Sequence, residues 1–298
     1  MYRDAKKAAE AHLKALKLYG YDITTIQVEP SWPVSESCGA RVNYSPDKNP
    51  WITKFPIEEK DNLEKLGVPD FMGCKSTRVM IEGTKLLAKN ANVPIAAYIT
   101  GPITFSFQLM PYELLIPTMI KDPEFTHHIV KKSIEIIKEY IKMLKEAGAS
   151  ILVLCEHDYQ LVKPQQVQEF SINYINSLLE IYDFNILHMC GKVSTHLNYL
   201  GNTLKEIKSL DMISIDSFVS ITETQDLLGD KIGVAGNIDH VRLLPHGTPK
   251  KIKETVFRVL KENRNTSRFM IAPGCEITAD TPIENVKAFV AASKKFKR

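Results

Sequence analysis

An α/β architecture built on a parallel sheet is predicted by three features of this sequence. Short apolar, β-branched runs alternate with long amphipathic stretches. Most of those short runs end in a polar or turn-prone group. The chain of 298 residues, 44% of them hydrophobic, can also bury a substantial core. Strands that alternate with helices build a parallel sheet covered by helices.

The strand runs, in order, are "DITTIQVEP", "PIAAYITGP", "SILVLCEH", "FNILHMCG", "MISIDSF", "KIGVAGN" and "FMIAPGC". Between them lie helical patterns such as "DPEFTHHIVKKSIEIIKEYIKMLKEAGA". There Ile129, Ile134, Ile137, Tyr140, Ile141 and Leu144 recur near a 3.6-residue period. "HGTP" reads as a helix start, with Thr248 as N-cap and Pro249 in the first turn. The strand ends are Glu29-Pro30, Thr100-Gly101, Glu156-His157, His188, Asp216, Asn237 and Cys275.

Chemically useful residues at successive strand ends are the layout of a barrel whose strand C-termini converge on one reactive face. The expected fold is therefore TIM-barrel-like, (β/α)8, in one domain over 1–298, since no linker or low-complexity break divides the chain. Seven strands are recognisable, and the chain opens directly in an amphipathic helix. The irregular region 31–93 is left to supply a missing edge.

The net charge of +3 gives no sign of a nucleic-acid partner. No run approaches a membrane span, and "MYRDAKKAAEAHLKAL" lacks the apolar centre of a signal peptide. Five scattered cysteines suit a reducing cytoplasm, with free thiols or metal ligands. Cys38 and Cys74 fall in the irregular N-terminal third and are read as bystanders.

His188 and Cys190 stand two apart at a strand end, so a continued strand turns both to the same side. Cys275 ends the last strand, after Gly274. One imidazole and two thiolates are good Zn²⁺ ligands, with a fourth position open for chemistry. The alternative, a core histidine beside small buried thiols, stands equally on spacing alone. Glu156, His157 and Asp158 could orient a substrate or form a solvated turn. Asp216 could fill the fourth metal position or hydrogen-bond a ligand. Thr100 and Asn237 are similarly placed at the rim for cofactor contacts, although "GN" is also a good turn.

The segments "YITGPITFSFQL", "ILHMCGKVSTHL", "ISIDSF", "GVAGNIDHVRLLPHGTPKKIKETV" and "IAPGCEITADTPIENVKAFVAA" together resemble the uroporphyrinogen decarboxylase superfamily. Within it they are most similar to the zinc-dependent corrinoid methyltransferases, including the methylcobamide:coenzyme M methyltransferases. The resemblance covers most of Pro94–Ala292 and, more loosely, Lys6–Gly39. It implies zinc on His188, Cys190 and Cys275; Glu156, His157 and Asp216 are read as further catalytic groups from their places at the strand ends alone. It also implies methyl transfer between a methylcorrinoid, carried by a partner protein, and a small acceptor such as a thiol. The arginine-bearing segment that holds a tetrapyrrole in the decarboxylases is not recognisable, so porphyrin decarboxylation is not expected. Nor is the first family strand. "DITTIQVEP" and "FMIAPGC" are then expected to flank a gap, covered by a loop or by the second subunit of a homodimer.

Overall fold

A computed structural model describes residues 3–26, 31–45, 50–266 and 268–296. Helices α1 (Ala5–Tyr19), α2 (Trp32–Ser37) and α3 (Lys75–Asn90) occupy the N-terminal third, with a short antiparallel hairpin of β1 (Arg41–Asn43) and β2 (Trp51–Lys54). Six parallel strands follow in sequential order: β3 (Ala96–Thr100), β4 (Ile151–Glu156), β5 (Asn185–Met189), β6 (Met212–Ile215), β7 (Gly233–Ile238) and β8 (Phe269–Pro273).

The crossovers after β3 carry α4 (Pro102–Leu109), α5 (Tyr112–Lys121) and the long α6 (Pro123–Glu146). After β4 come α7 (Pro164–Val167), a π-helical turn and α8 (Asn173–Leu179). Then follow α9 (Ser194–Glu206), α10 (Ile221–Leu228), α11 (Leu243–His246), α12 (Pro249–Glu262) and α13 (Ile283–Lys295). Thr248 caps α12 as expected, its side chain accepting from the Lys251 N–H at 3.2 Å. The fold is thus α/β and TIM-barrel-like, as the alternation of runs predicts. No helix among the described residues is long and apolar enough to cross a membrane.

Alternation along the strands divides their side chains between two cores. Leu152, Leu154, Leu187, Ile213 and Val234 pack outward under the helices. Ala96, Ile151, Val153, Cys155, Ile186, Met212 and Ala235 form a second cluster on the inner face. The strand register stacks the inner side chains in layers. Tyr98, Val153, Ile186 and Met212 are neighbours in one layer, and Thr100, Cys155, His188, Ser214, Ala235 and Met270 in the next. Layered filling of this kind makes the interior a packed core up to the rim, where the side chains become polar.

The N-terminal side departs from the seven-strand expectation. "DITTIQVEP" contributes one parallel bridge, Thr24 to Ile95, in which the Thr24 N–H donates to the Pro94 carbonyl and the Thr24 carbonyl accepts from the Ala96 N–H. Glu29-Pro30 and the rest of 27–30 lie outside the described residues. The hairpin of β1 and β2 was not expected; it belongs to the region 31–93 but pairs only with itself in the described sheets. Among the described residues β8 joins the sheet through β7 alone. The Thr24 segment and the end of β8 line one apolar cavity of about 520 Å³ with α1 and α13.

Candidate metal centre

The site is assembled from the ends of β5 and β8. His188 lies in the upper inner layer, paired in register with Ser214 of β6. Its Nδ1 lies 3.0 Å from the Ser214 Oγ, and its Nε2 is buried without a hydrogen-bond partner. A buried ring nitrogen with no partner is costly unless something else occupies its lone pair. Two residues on, Cys190 leaves the strand where its N–H donates to the Glu156 carbonyl. Gly191 then turns the chain with φ +80°, a left-handed conformation that glycine adopts without a Cβ penalty.

Cys275 arrives from β8 through Gly274. A Cβ on Gly274 would stand 2.5 Å from the Ser217 backbone nitrogen, so this close approach of two backbones demands glycine. The Cys190 and Cys275 sulfurs are 3.6 Å apart, and one ligand atom from each of His188, Cys190 and Cys275 falls within 4.8 Å of the others. An unpartnered imidazole nitrogen and two adjacent thiols form a donor set that fits Zn²⁺ chemically and leaves a fourth position open.

The electrostatics of the pair point the same way. The hydrogen bond from Cys190, followed by the nearby His188, holds the Cys275 thiol far below its ordinary range. The Cys190 thiol is pushed up by that hydrogen bond and by burial. Of the two, Cys275 is the thiol that these surroundings favour as the anion, and the pair titrates as one unit. Asp216, at the end of β6, stands beside them: its Oδ2 accepts from the Gly191 N–H at 3.1 Å and lies 3.8 Å from the Cys190 sulfur. Its Oδ1 accepts from the Ser217 hydroxyl.

The other predicted residues divide. Thr100 shares the layer of His188, and its buried Oγ1 has no partner. The His157 ring stands edge-on to that of His188, with centroids 6.3 Å apart. Glu156, expected as a catalytic group, lies off the inner face. Cys155 takes the inner face, so Glu156 turns outward and is fully buried under α4. It accepts from the Ile103 and Thr104 N–H groups and from the Thr104 and Ser171 hydroxyls. It anchors a helix N-terminus and is neither a solvated turn nor a wall of the cavity. Asn237 likewise turns away: its Nδ2 donates to the Val219 carbonyl, and it lines a surface pocket with Ser217 and Arg258. Ser214 was not anticipated; it stands two before Asp216, but only the strand register brings it to His188.

A cavity of about 310 Å³ opens onto this cluster, lined by Thr25, Tyr98, His188, Ser214, Cys275 and Glu276. The chain is 25% identical to the methylcobamide:CoM methyltransferase MtaA of Methanosarcina barkeri, over 88% of this chain and 77% of that protein. It is 26% identical to a uroporphyrinogen decarboxylase of Myxococcus xanthus, over 79% and 68% of the two. Among solved structures, a methyltransferase from Methanosarcina mazei superposes with a TM-score of 0.87 at 23% identity, covering 98% of this chain and 86% of that one. The uroporphyrinogen decarboxylase (URO-D) family matches over residues 1–296. Relatives of two activities share one barrel, and the match extends almost end to end: the chain belongs to the uroporphyrinogen decarboxylase (URO-D) family.

Proposed function

We propose that this chain is a zinc-dependent methyltransferase that moves a methyl group between a methylcorrinoid carried by a partner protein and a small acceptor, a thiol first among them. The observation that carries the reading is the convergence of His188, Cys190 and Cys275, one ligand atom of each within 4.8 Å of the others. Relatives named as methylcobamide:CoM methyltransferases support the reaction class. Zinc bound there would supply a Lewis acid that keeps an acceptor thiol ionised at neutral pH.

This chain's own residues prepare the site. Ser214 fixes the His188 ring through Nδ1 and so presents Nε2 to the metal. Cys275 is the more acidic of the two thiols, and both give up their protons to bind a metal, with Asp216 3.8 Å from the Cys190 sulfur. Asp216 also holds the turn at Gly191, which keeps Cys190 facing Cys275. Tyr98 and the end of β8 wall the cavity beside the reacting groups.

The test is anaerobic methyl transfer from methylcobalamin to a panel of thiols, with zinc per chain measured in parallel. Zinc near one per chain and transfer that a chelator abolishes are expected. Full transfer by metal-free protein would refute the reading.

A further inference from the structure

A second cavity, of about 260 Å³, lies on the far side of His157 from His188. Its walls are aromatic: Trp32 from α2, Trp51 from β2, Phe55, Phe107 from α4 and Tyr112 from α5. Phe107 and Tyr112 stack at 4.6 Å. One carboxylate, Asp158, faces this lining; it is 9% exposed and accepts from the Tyr112 hydroxyl at 3.2 Å. Neither lysine nor arginine is among the described residues that line the cavity. Gln108 adds an independent sign of a ligand. It is 5% exposed, its Oε1 accepts from Ser35, and its Nε2 is buried without a partner.

We infer that this cavity binds a small methylated onium cation, a quaternary ammonium or tertiary sulfonium compound, that also carries an oxygen acceptor for Gln108. Aromatic faces attract a cation through their quadrupoles, most strongly when both are desolvated. Asp158 supplies the counter-charge; burial raises its carboxyl, opposed by the neighbouring His157 and by hydrogen bonds from Tyr112 and Thr104. His157, in the same lining, compensates Asp158 only in part; a cationic guest adds to that compensation, and an anion would be repelled. A primary ammonium brings three N–H donors, which walls of tryptophan and phenylalanine cannot satisfy; a methylated onium brings none. The ligand's oxygen meets the otherwise idle Gln108 Nε2. This binding goes beyond the proposed methyl transfer and needs neither zinc nor corrinoid.

Calorimetric titration of the whole chain with choline tests it, alongside the neutral carbon isostere 3,3-dimethylbutan-1-ol, 2-hydroxyethyl-dimethylsulfonium and tetramethylammonium. Saturable binding of choline or the sulfonium is expected, with the neutral isostere weaker by about tenfold or more; the tighter of the two onium arms identifies the source. Asp158→Asn should weaken the onium compounds by a similar factor. Gln108→Leu should weaken choline and leave tetramethylammonium unchanged. Trp51 is 39% exposed on the hairpin, so Trp51→Leu leaves the core intact and should still weaken binding, even where Asp158→Asn fails to fold. Cys275→Ala should bind choline as the parent does, which separates this site from the metal centre. No saturable onium binding, equal affinity for the neutral isostere, or loss of binding in Cys275→Ala would each overturn the inference.

Discussion

Two pairs of cysteines in this chain show opposite fates of a thiol. Cys38 and Cys74 lie around α2 and at the start of α3, in the irregular N-terminal third. Burial pushes the Cys38 thiol up to about 12, and the Cys74 sulfur has only the Ser76 hydroxyl, at 3.3 Å. Cys190 and Cys275 come instead from the ends of two strands, where the barrel layout turns them onto one point beside His188. Burial on its own makes a thiol inert. Burial with a second sulfur, an imidazole and a glycine-permitted close approach gives it the surroundings of a metal ligand.

The strongest way to break this contrast is to exchange the pairs' fates by mutation. His188→Ala, Cys190→Ala and Cys275→Ala each remove one of three protein ligands, so zinc affinity should fall by more than about 100-fold and methyl transfer should follow. Cys38→Ala and Cys74→Ala should keep the parent's metal content. Zinc retained in Cys275→Ala, or lost in Cys38→Ala, would dissolve the distinction.

Glu156 extends the contrast to a carboxyl group. Burial raises it from an ordinary 4.5 to about 7, against the hydrogen bonds from Thr104, Ser171 and Ile103 that pull the other way. The folded state therefore binds the proton more tightly than the unfolded one. The stability this contributes is complete below pH 4.5 and is lost as pH rises through 7. The loss is on the order of 3 kcal/mol for a shift of this size. Urea denaturation at pH 4.5 and 7 should show that slope in the parent and a flatter one in Glu156→Gln. Equal slopes would mean that Glu156 is not desolvated in solution.

Smaller effects sharpen the geometry. Gly274→Val places a side chain against the Ser217 backbone, so Cys275 must shift. Metal affinity should fall by roughly 10–100-fold while circular dichroism stays native, since the ligands remain and only their aim changes. Unchanged affinity would show that the loop gives way freely. Ser214→Ala removes only the support of the His188 Nδ1 and should cost about tenfold in zinc affinity, read by competition with a chelator. An unaltered value would assign the ring's orientation to packing.

Much of this was legible in the sequence because period-2 spacing survives tertiary folding. His188 and Cys190 share a side of the chain whatever surrounds them, and Cys275 was marked by its place after the last apolar run. Glu156 was less legible for a physical reason. β4 is buried on both faces, so Leu152, Val153, Leu154 and Cys155 show no polar alternation to say which way the next residue points. Asn237 and Ser214 needed the register between strands, which no local pattern encodes. The hairpin of β1 and β2 is short and half-exposed, with no hydrophobic alternation to announce it.

The central claim is that His188, Cys190 and Cys275 bind one metal ion together, and cobalt substitution tests it most directly. Co²⁺ titrated into the metal-free chain should saturate near one equivalent. The spectrum should show tetrahedral d–d bands and a thiolate-to-cobalt charge-transfer band that weakens in Cys190→Ala and in Cys275→Ala alike. An octahedral spectrum without thiolate charge transfer, or one identical in Cys275→Ala, would contradict the account.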